Sequence, residues 1–401
     1  MSFQPLKGVR ILDLTSVVVG PVATWRLAQY GAEIVKVESP EGDLMRGLGG
    51  LSPTGQQAGA YLHLNRGKRN ICLDLKKPGA RDALDRLIAA SDVVVANMRP
   101  QALKKLGLDG ASVLVRHPTK VYCLITGYGT DGPYAGQPTY DSVVQGVTGM
   151  AGLMQARDGT PGYMPMLICD HVVGEIAAGA ILAAIMQARA SGKGVDLEIP
   201  MFETMAIFVL QEHLAQHSFD PPVGPIGDMR LLSPHNKPVR TKDGWISFTI
   251  NTDAQVRAFL AATDRDALIG DARFSTVSGR AVNVREWFEV RGAPLPSKTT
   301  AEWLGVFRAA DIAAMPCHTL ETLRADPHLA AIGFFQPEDH PTEGRTVALR
   351  SAITVNGARP PVGLPSQAKG QETRQILADS GFGADEIATL VTAGAAIGVA
   401  P

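Results

Sequence analysis

The chain has 401 residues, of which 45% are hydrophobic and 19% charged, and its formal net charge at pH 7 is −1. This length exceeds what a single hydrophobic core usually serves, so we expect a soluble protein with two domains. The near-zero charge excludes a global attraction to nucleic acid or to an anionic membrane, so any recognition of an anion must be local.

The first third of the chain alternates between short apolar runs and helical patterns. This alternation predicts parallel strands with helical crossovers, that is, an α/β fold with a doubly wound, Rossmann-like sheet. The first strand–helix turn, TSVVVGPVA, lacks the GxGxxG pattern, which disfavours a dinucleotide site. The predicted strands are Val9–Leu14, Ala32–Glu38, Asn70–Leu75, Val93–Asn97 and Val121–Thr126, with helices from Pro21 to near Gly31 and over Pro78–Ala90.

Basic side chains are concentrated early, several of them just after predicted strands. Ligands of a doubly wound sheet bind beyond the carboxyl ends of the strands, where Lys, Arg and helix amides suit phosphates. The set indicates a phosphate ligand such as a nucleotide, CoA or a sugar phosphate, while a solvated surface charge is the alternative for each single residue. Its members are Arg66, Lys68, Arg69, Lys76, Lys77, Arg99, Lys104 and Lys105.

A glycine-rich segment, Thr126–Leu153, follows the last of these predicted strands. Glycine permits tight turns and a close approach of the backbone to a ligand, and its amides can stabilise a thioester oxyanion. A long irregular loop is the alternative. The glycines in question are Gly127, Gly129, Gly132 and Gly136.

Asp170 lies in an otherwise apolar run, Tyr163–Arg189. Burying an ionised carboxylate without a partner is costly, so such a group is usually capped, paired or used. Two interpretations follow: Asp170 caps the helix that follows it, or it is a nucleophile held in a cleft at the helix N-terminus. The charged and polar residues of this run argue against a membrane span.

Beyond this helix the pattern predicts a strand, VDLEIPM, a helix to about Gln216, and then a proline-rich stretch. DGWISFTI begins a second unit, a loop-rich region covers 338–365, and two helices close the chain, at about 371–380 and 384–393. We therefore predict a discontinuous large domain with a small α+β domain inserted into it. The large domain comprises 1–217 and, after a linker over 218–242 and the small domain over 243–337, the return linker and C-terminal helices over 338–401.

The four cysteines are scattered, with no CxxC pair and no metal-ligand spacing. The N-terminus, MSFQPLKGVRILDL, shows no pattern of a secretory signal. A cytoplasmic protein without a metal site is therefore expected. The cysteines are Cys72, Cys123, Cys169 and Cys317.

Five stretches together resemble the class III CoA-transferases, the family of formyl-CoA transferase and crotonobetainyl-CoA:carnitine CoA-transferase. They occur in the family's order over nearly the whole chain, and weaker similarities follow in TKDGWI, DPHLAAIGFF and GQETRQIL. The five are PLKGVRILDLTSVVVGPVATWRLAQYGAEIVKVESPEGD, NRGKRNICLDLKKPG, SDVVVANMRPQALKKLGL, ITGYGTDGPYAGQPTYDSVVQGVTG and CDHVVGEIAAGAILAAIMQARASGKGVDLEIPM.

The resemblance implies that Asp170 is the catalytic nucleophile. Its carboxylate would attack an acyl-CoA thioester to give an aspartyl acyl anhydride and then an enzyme–CoA thioester, from which CoA passes to a carboxylic acid acceptor. No metal and no tightly bound cofactor is implied, because CoA enters and leaves as a substrate thioester. The resemblance also implies an interlocked homodimer. Neither nucleic acid nor a membrane is an expected partner, because the net charge is close to zero.

The resemblance also implies the CoA contacts. Lys76, Arg99 and Lys105 belong both to this set and to the basic set found from charge alone. The implied CoA-binding residues are Val18, Val19, Leu75, Lys76, Asn97, Met98, Arg99, Lys105, Tyr140 and Asp141.

Two departures bear on the substrate. Val18 stands where formyl-CoA transferases have a glutamine near the reacting acyl group, and the loop after Gly224 lacks their run of glycines. Both indicate an acid bulkier than formate or oxalate.

Three alternatives remain. An α-methylacyl-CoA racemase would need a histidine where Tyr140 stands, and His171 would point roughly 100 degrees away from Asp170 on a helix. Cys169 as an acyl carrier would need a base partner. A CoA-ester-binding regulator without activity is disfavoured by the aspartate at position 170.

Overall fold

The computed structural model describes residues 3–398, which form two compact units. The first unit comprises residues up to 148 together with 164–207 and those from 329 onward, and the second comprises 149–163 and 208–328. The second unit thus includes 149–163, a segment that the sequence analysis assigned to the large domain. The domain boundaries drawn from the sequence stay a prediction.

The strands and helices alternate through the first unit as far as its sixth strand. The strands are β1 (Arg10–Leu14), β2 (Glu33–Glu38), β3 (Lys68–Leu73), β4 (Val93–Ala96), β5 (Val121–Thr126), β6 (Val195–Pro200), β7 (Val239–Arg240), β8 (Trp245–Thr249), β9 (Ala313–Pro316), β10 (Phe335–His340), β11 (Gly344–Leu349) and β12 (Ala396–Ile397). The helices are α1 (Val19–Gln29), α2 (Gly59–Leu64), α3 (Ala80–Ala89), α4 (Pro100–Leu106), α5 (Gly110–Arg116), α6 (Asp141–Val147), α7 (Met150–Asp158), α8 (Ile168–Ser191), α9 (Met201–His213), α10 (Asp253–Ala262), α11 (Val277–Val282), α12 (Val284–Gly292), α13 (Thr300–Ala309), α14 (Leu320–Arg324), α15 (Pro327–Ala331), α16 (Thr373–Asp379) and α17 (Ala384–Thr392).

The first unit is built on a seven-stranded sheet with the order β12-β3-β2-β1-β4-β5-β6. All neighbours are parallel except β12, which runs antiparallel to β3. The predicted α/β fold with a largely parallel sheet is confirmed. Strand β4, VVVA, is buried at every position, as expected where helices cover both faces of a parallel sheet. Strand order reverses at β1, so a crevice opens between the carboxyl ends of β1 and β4.

Helix α3 shows how the sequence pattern fixes the packing. Its buried residues recur at helical spacing and therefore share one face. That face joins the core formed with the C-terminal helices α16 and α17, which return to the sheet after the second unit. The buried residues of α3 are Ala80, Ala83, Leu84, Leu87 and Ile88.

Helix α8 is the longest helix of the described chain, and it packs along α1 and the strands β5 and β6. By length and composition alone it would suffice to cross a membrane, and half of its most apolar window is buried within the protein. A Cβ atom at Gly174 would lie 2.7 Å from both the Val19 carbonyl oxygen and Val22 Cβ. Only glycine permits this close crossing, which sets the second turn of α8 against the start of α1.

One expectation about the C-terminal part was wrong, because the region predicted as loop-rich contains β11 and the second half of its antiparallel partner β10. The short strand β12 was not predicted. Strand β10, FQPEDH, is polar and contains Pro337, so it lacks the alternating pattern that marks a half-buried strand. Strand β12 has only two residues, too few to show any period.

The second unit has a three-stranded antiparallel sheet, β7-β8-β9, packed with helices. Its core is aromatic: the rings of Phe248 and Phe307 stack with centroids 5.1 Å apart, and Trp303 stacks on Phe307 at 5.4 Å. The capping boxes of α10 and α13 begin at Thr252 and Thr299. This unit therefore holds its shape through ring packing and well-capped helices.

Candidate active site

A cavity of about 370 Å³ lies at the point where the strand order reverses in the first unit. Its walls come from the loop after β1, the loop after β4, the end of β5 with the segment 136–140, and the first turn of α8. This is the crevice in which doubly wound folds bind their ligands. Sequence-predicted residues that line it are Val18, Val19, Asn97, Met98, Arg99, Tyr140 and Asp170.

The remaining predicted residues lie elsewhere. Asp141 is buried directly behind the first turn of α8, while Leu75, Lys76 and Lys105 are not among the residues that line the cavity. Leu75 packs against the hydrophobic core, and Lys76 is exposed, 3.9 Å from Glu41. The structure thus brings seven of the predicted residues together around one cavity and leaves Leu75, Lys76, Lys105 and Asp141 outside its lining.

Asp170 is buried, with 7% of its surface exposed, and it occupies the third position of α8. It does not cap its helix, contrary to one interpretation of the sequence. Asp141 does so instead: its Oδ2 accepts the amides of Cys169 at 2.7 Å and of Asp170 at 3.1 Å. Gln145 Nε2 donates to the other oxygen of Asp141 at 2.6 Å and holds the carboxylate in place. Asp170 is therefore released from a capping role.

The pKa of Asp170 is raised to about 7, first by burial and then by the negative charge of Asp141. A helix N-terminus ordinarily favours the charged form of a nearby carboxyl group, because its free amides point at that group. The amides that would do so are directed at Asp141. Within residues 3–398 no cation pairs with Asp170, so its carboxyl group remains available at neutral pH as a basic oxygen.

The loop after β1 rests on buried charges that the sequence analysis did not identify. Asp13, fully buried, pairs with Lys68 at 3.1 Å and accepts the hydroxyls of Thr15 and Thr24 at 2.5 and 2.6 Å. The pKa of Asp13 is lowered to about 2, because the lysines Lys68 and Lys36 and the two hydroxyls outweigh the opposing effect of burial. The one sequence signal was an aspartate inside the apolar strand RILDL.

A second buried pair fixes the path of the same loop. Lys36 Nζ lies 2.9 Å from Asp43 Oδ2 and donates to the Thr15 carbonyl oxygen at 2.8 Å, while Asp43 Oδ1 accepts the Val17 amide at 3.0 Å. Val17 has φ = 70°, a conformation that is strained for a β-branched residue. Ser16 and Asn97 exchange two hydrogen bonds, at 3.0 and 2.9 Å, which tie this loop to the end of β4. Residues outside the loop, namely Lys36, Asp43 and Asn97, thus fix the loop that forms this wall of the cavity.

Three members of the basic set serve structural ion pairs, which corrects their assignment to a phosphate. Lys68 pairs with Asp13, Arg66 with Glu338, and Arg69 with Glu33, Glu372 and Asp379. No carboxylate of the described chain forms an ion pair with Arg99, Lys104 or Lys105, and all three are exposed. Arg99 lines the cavity. The part of the set on and before α4 therefore remains available for an anion.

The glycine-rich segment divides in a similar way. Gly127 and Gly136 line the cavity, and a Cβ atom at Gly127 would lie 2.1 Å from Thr139 Cγ2, so only glycine fits there. The amides of Gly129 and Gly132 are already bonded, to Glu203 Oε1 at 2.9 Å and to the Gly129 carbonyl at 3.3 Å. Those two amides are not free to bind an oxyanion.

The alternative nucleophile and base are poorly placed. Burial raises the pKa of the Cys169 thiol to about 12, which suppresses the reactive thiolate. His171 is exposed and is not among the cavity-lining residues. In the part of the chain that the structure describes, no group of three His, Cys, Asp or Glu side chains is arranged to hold a metal ion.

Residues 6–373 match the family model described as CoA-transferase family III. The chain is 31% identical to a succinate–glutarate CoA-transferase of Agrobacterium fabrum, over 94% of this chain and 95% of that protein. It is 29% identical to the human succinyl-CoA:glutarate CoA-transferase, over 94% of this chain and 86% of that protein.

The fold is also similar to that of solved structures. A crystal structure of Rv3272 from Mycobacterium tuberculosis superposes with a TM-score of 0.80 at 27% identity, covering 94% of this chain and all of that one. A CaiB/BaiF family protein from Brucella suis gives a TM-score of 0.79 at 27% identity, covering 95% of this chain and 100% of that one.

Proposed function

Because the chain belongs to CoA-transferase family III, we propose that it moves CoA between carboxylic acids through covalent intermediates on Asp170. It is a class III CoA-transferase whose relatives act on acyl-CoA and carboxylic acids. One observation carries the proposal: a buried carboxyl group lines the cavity at the strand-order reversal, pairs with no cation of residues 3–398, and has a pKa of about 7.

The proposed reaction has four steps. Asp170 attacks the thioester carbonyl carbon and the C–S bond breaks. This step gives a mixed anhydride on Asp170 and the free CoA thiolate. The thiolate attacks the aspartyl carbonyl, which releases the donor acid and leaves an Asp170–CoA thioester. The acceptor carboxylate displaces CoA to form a second anhydride, and CoA then attacks the acceptor acyl carbon and frees Asp170. Each step exchanges one acyl–oxygen or acyl–sulfur bond, with no net change in oxidation state.

Asp141 is proposed to prepare Asp170 for this chemistry. Its charge and the buried setting raise the pKa of Asp170, and a more basic carboxylate is a better nucleophile toward a thioester. Because Asp141 accepts hydrogen bonds from the two amides at the start of α8, the Asp170 carboxyl group does not cap the helix and lines the cavity.

We propose that CoA enters with its phosphates near Arg99 and the exposed lysines. Lys76 and Lys105, together with Leu75, would extend this contact beyond the cavity. These assignments rest on the family resemblance and on the exposure of the basic side chains.

The acceptor is proposed to be larger than formate. Val18 and Val19 give the cavity an apolar wall beside Asp170. Relatives are named for glutarate and for (R)-2-hydroxy-4-methylpentanoate, the latter in a Clostridioides difficile enzyme that is 25% identical over 95% of this chain. A branched or dicarboxylic acid of this size is the proposed acceptor class.

We further propose a homodimer, interlocked as the resemblance implies, that works in the cytoplasm. Large apolar side chains are exposed on and around α8, and such a patch usually marks an interface. They include Met166, Leu167, Ile176, Met186 and Ile207. Light scattering coupled to size exclusion tests the proposal, and a monomer at micromolar concentration would contradict it.

The mechanism can be tested by trapping. Incubation with succinyl-CoA, glutarate and hydroxylamine should convert Asp170, and no other residue, to a hydroxamate that peptide mass spectrometry locates. Asp170→Asn provides the control without the nucleophile. Modification of Cys169 instead, or unmodified protein despite ongoing CoA exchange, would overturn the aspartyl mechanism. Screening a panel of CoA esters against carboxylic acids by mass spectrometry then identifies the donor and acceptor.

A further inference from the structure

The second unit contains a cavity of about 470 Å³ that shares no lining residue with the Asp170 cavity. It lies beside β8 and the helices α11 and α12. Three aromatic side chains contribute to its wall, Phe248, Trp287 and Phe288. The charged residues of the described chain that line it are all arginines, Arg230, Arg280 and Arg291, with no aspartate or glutamate among them.

Two of these arginines have carboxylate partners. Arg280 is buried, lies 2.8 Å from Asp253 and donates to the Phe274 carbonyl at 2.8 Å. Arg230, largely exposed, lies 2.5 Å from Asp228. Their charges are therefore compensated locally.

Arg291 differs from both. Its guanidinium carbon lies 4.7 Å from the centre of the Phe248 ring and 4.8 Å from that of Phe288. Nη2 donates to the Phe248 carbonyl at 2.8 Å, while Nε is buried with no hydrogen-bond partner in the described chain. Burial lowers the pKa of Arg291 to about 10, which still leaves the guanidinium charged at neutral pH.

The two rings alone do not satisfy Arg291. Cation–π contact stabilises the charge, but it supplies neither a counter-ion nor an acceptor for Nη1, which donates no hydrogen bond within the described chain, and a half-buried charge without a counter-ion is costly. A carboxylate would supply both an acceptor and the missing negative charge. A phosphate dianion fits less well, because only one of the three guanidinium groups lacks a carboxylate partner and the rest of the wall is mostly apolar or aromatic.

We propose that this cavity binds a small organic carboxylate with an aromatic or branched apolar body, its carboxylate on Arg291 and its body against Trp287 and Phe288. The site is additional to the proposed CoA-transfer site, and its binding does not depend on Asp170. A free acid of the kind that CoA-transferases produce and consume has this chemistry, so the site would let such an acid bind outside the reaction centre.

Calorimetric titration of the full chain with three probes tests the chemistry. Phenylacetate carries both a ring and a charge, phenylacetamide lacks the charge, and acetate lacks the ring. Phenylacetate should bind at least about ten-fold more tightly than either, because it alone makes a charge-assisted contact and ring contacts together. Equal affinity of phenylacetamide would overturn the proposal.

Variants locate the binding. Arg291→Gln should weaken phenylacetate binding about ten-fold or more. The matched control Arg257→Gln, at an exposed arginine of α10 outside the cavity, should leave it unchanged. If Arg291→Gln binds as the wild type does, or if Arg257→Gln loses binding equally, the assignment is wrong.

A second variant guards against misfolding. Ala281 is an exposed residue of α11 that lines the cavity, so Ala281→Phe should fill space there and abolish binding while the thermal midpoint is unchanged. Asp170→Asn should retain phenylacetate binding. Loss of binding in Asp170→Asn would place the probe in the first cavity and overturn the proposal without touching the proposed reaction.

Discussion

Two buried carboxyl groups of the first unit, Asp13 and Asp170, experience opposite environments. Their exposed fractions are 0% and 7%, and burial disfavours the charged form of both. Yet the pKa of Asp13 falls to about 2 while that of Asp170 rises to about 7. Asp13 is surrounded by two lysines and two hydroxyls, whereas Asp170 has Asp141 as its charged neighbour. The neighbours decide which buried acid is structural and which is reactive.

The same contrast reverses the way each group contributes to stability. The folded-state pKa of Asp13 lies below its ordinary value of 3.8, so it stabilises the fold above about pH 4, and this is lost as the pH falls through about 2. The folded-state pKa of Asp170 lies above 3.8, so its contribution is complete below about pH 4 and is lost as the pH rises through about 7. Reactivity at Asp170 therefore comes with a loss of stability.

Asp170→Asn should have the largest effect. CoA transfer should fall roughly a thousand-fold or more, because the nucleophile is removed, while CoA binding stays within a few-fold. The free energy of unfolding should rise at pH 8, since no buried charge forms there. Exchange rates and urea denaturation measure the two effects.

The control for that substitution is Asp82→Asn, at an exposed aspartate in the first turn of α3, which should leave CoA transfer unchanged and lower the free energy of unfolding by at most about 1 kcal/mol. Wild-type turnover in Asp170→Asn would show that Asp170 is not the reactive group, in contrast to the distinction drawn between Asp170 and Asp13. A drop in its stability at pH 8 would argue that Asp170 is structural after all.

Asp13→Asn should lower the free energy of unfolding, whereas Asp170→Asn should raise it at pH 8. The Asp13 substitution leaves Lys68 buried without its partner, so the free energy of unfolding should fall by about 3–5 kcal/mol. Urea denaturation at neutral pH provides the measurement. The double variant Asp13→Leu with Lys68→Met should recover only part of the loss, because it removes both charges but leaves the Thr15 and Thr24 hydroxyls without their acceptor. An unchanged denaturation midpoint in Asp13→Asn would show that the pair is dispensable.

The pH profile should show the smallest effect and the most specific one. The value of kcat/KM should fall roughly ten-fold per pH unit below an inflection near pH 7, as the Asp170 carboxylate becomes protonated. Asp141→Asn keeps an acceptor for the helix amides but removes the charge, so the inflection should move to lower pH. An inflection that stays in place would exclude Asp141 as a determinant of the Asp170 pKa.

Local patterns were sufficient for much of the first unit. The strand β5 was predicted with its observed bounds, and β1, β2 and β4 with bounds within one residue. Strands β4 and β5 are nearly continuous apolar runs, as buried parallel strands usually are, while β2 mixes apolar with charged residues. The polar hairpin β10–β11 lacks that signal and was missed. A strand that is stabilised mainly by its tertiary partners need not show a periodic pattern of apolar residues in the sequence.

The candidate site was predicted in a similarly uneven way. Asp170 stood out because its neighbours are apolar, and the family motifs assigned it a role. Its helix cap, Asp141, lies 29 residues away along the chain, so no local pattern identifies it. Likewise, Lys68 looked like a phosphate ligand until its partner Asp13 was found 55 residues away. Which charges are paired is decided by the fold.

The strained residue Val17 has a consequence for how this scaffold can diversify. Its backbone is held by Asp43, and the neighbouring loop atoms by Lys36 and Asn97, so the loop path depends on residues outside the loop. Val18 and Val19 both line the cavity, but Val18 also belongs to a buried apolar cluster of the first unit. Mutations of Val19 can therefore change which acid is accepted at a lower cost to the wall than mutations of Val18. Selection for a new substrate would thus have a narrow path through this loop.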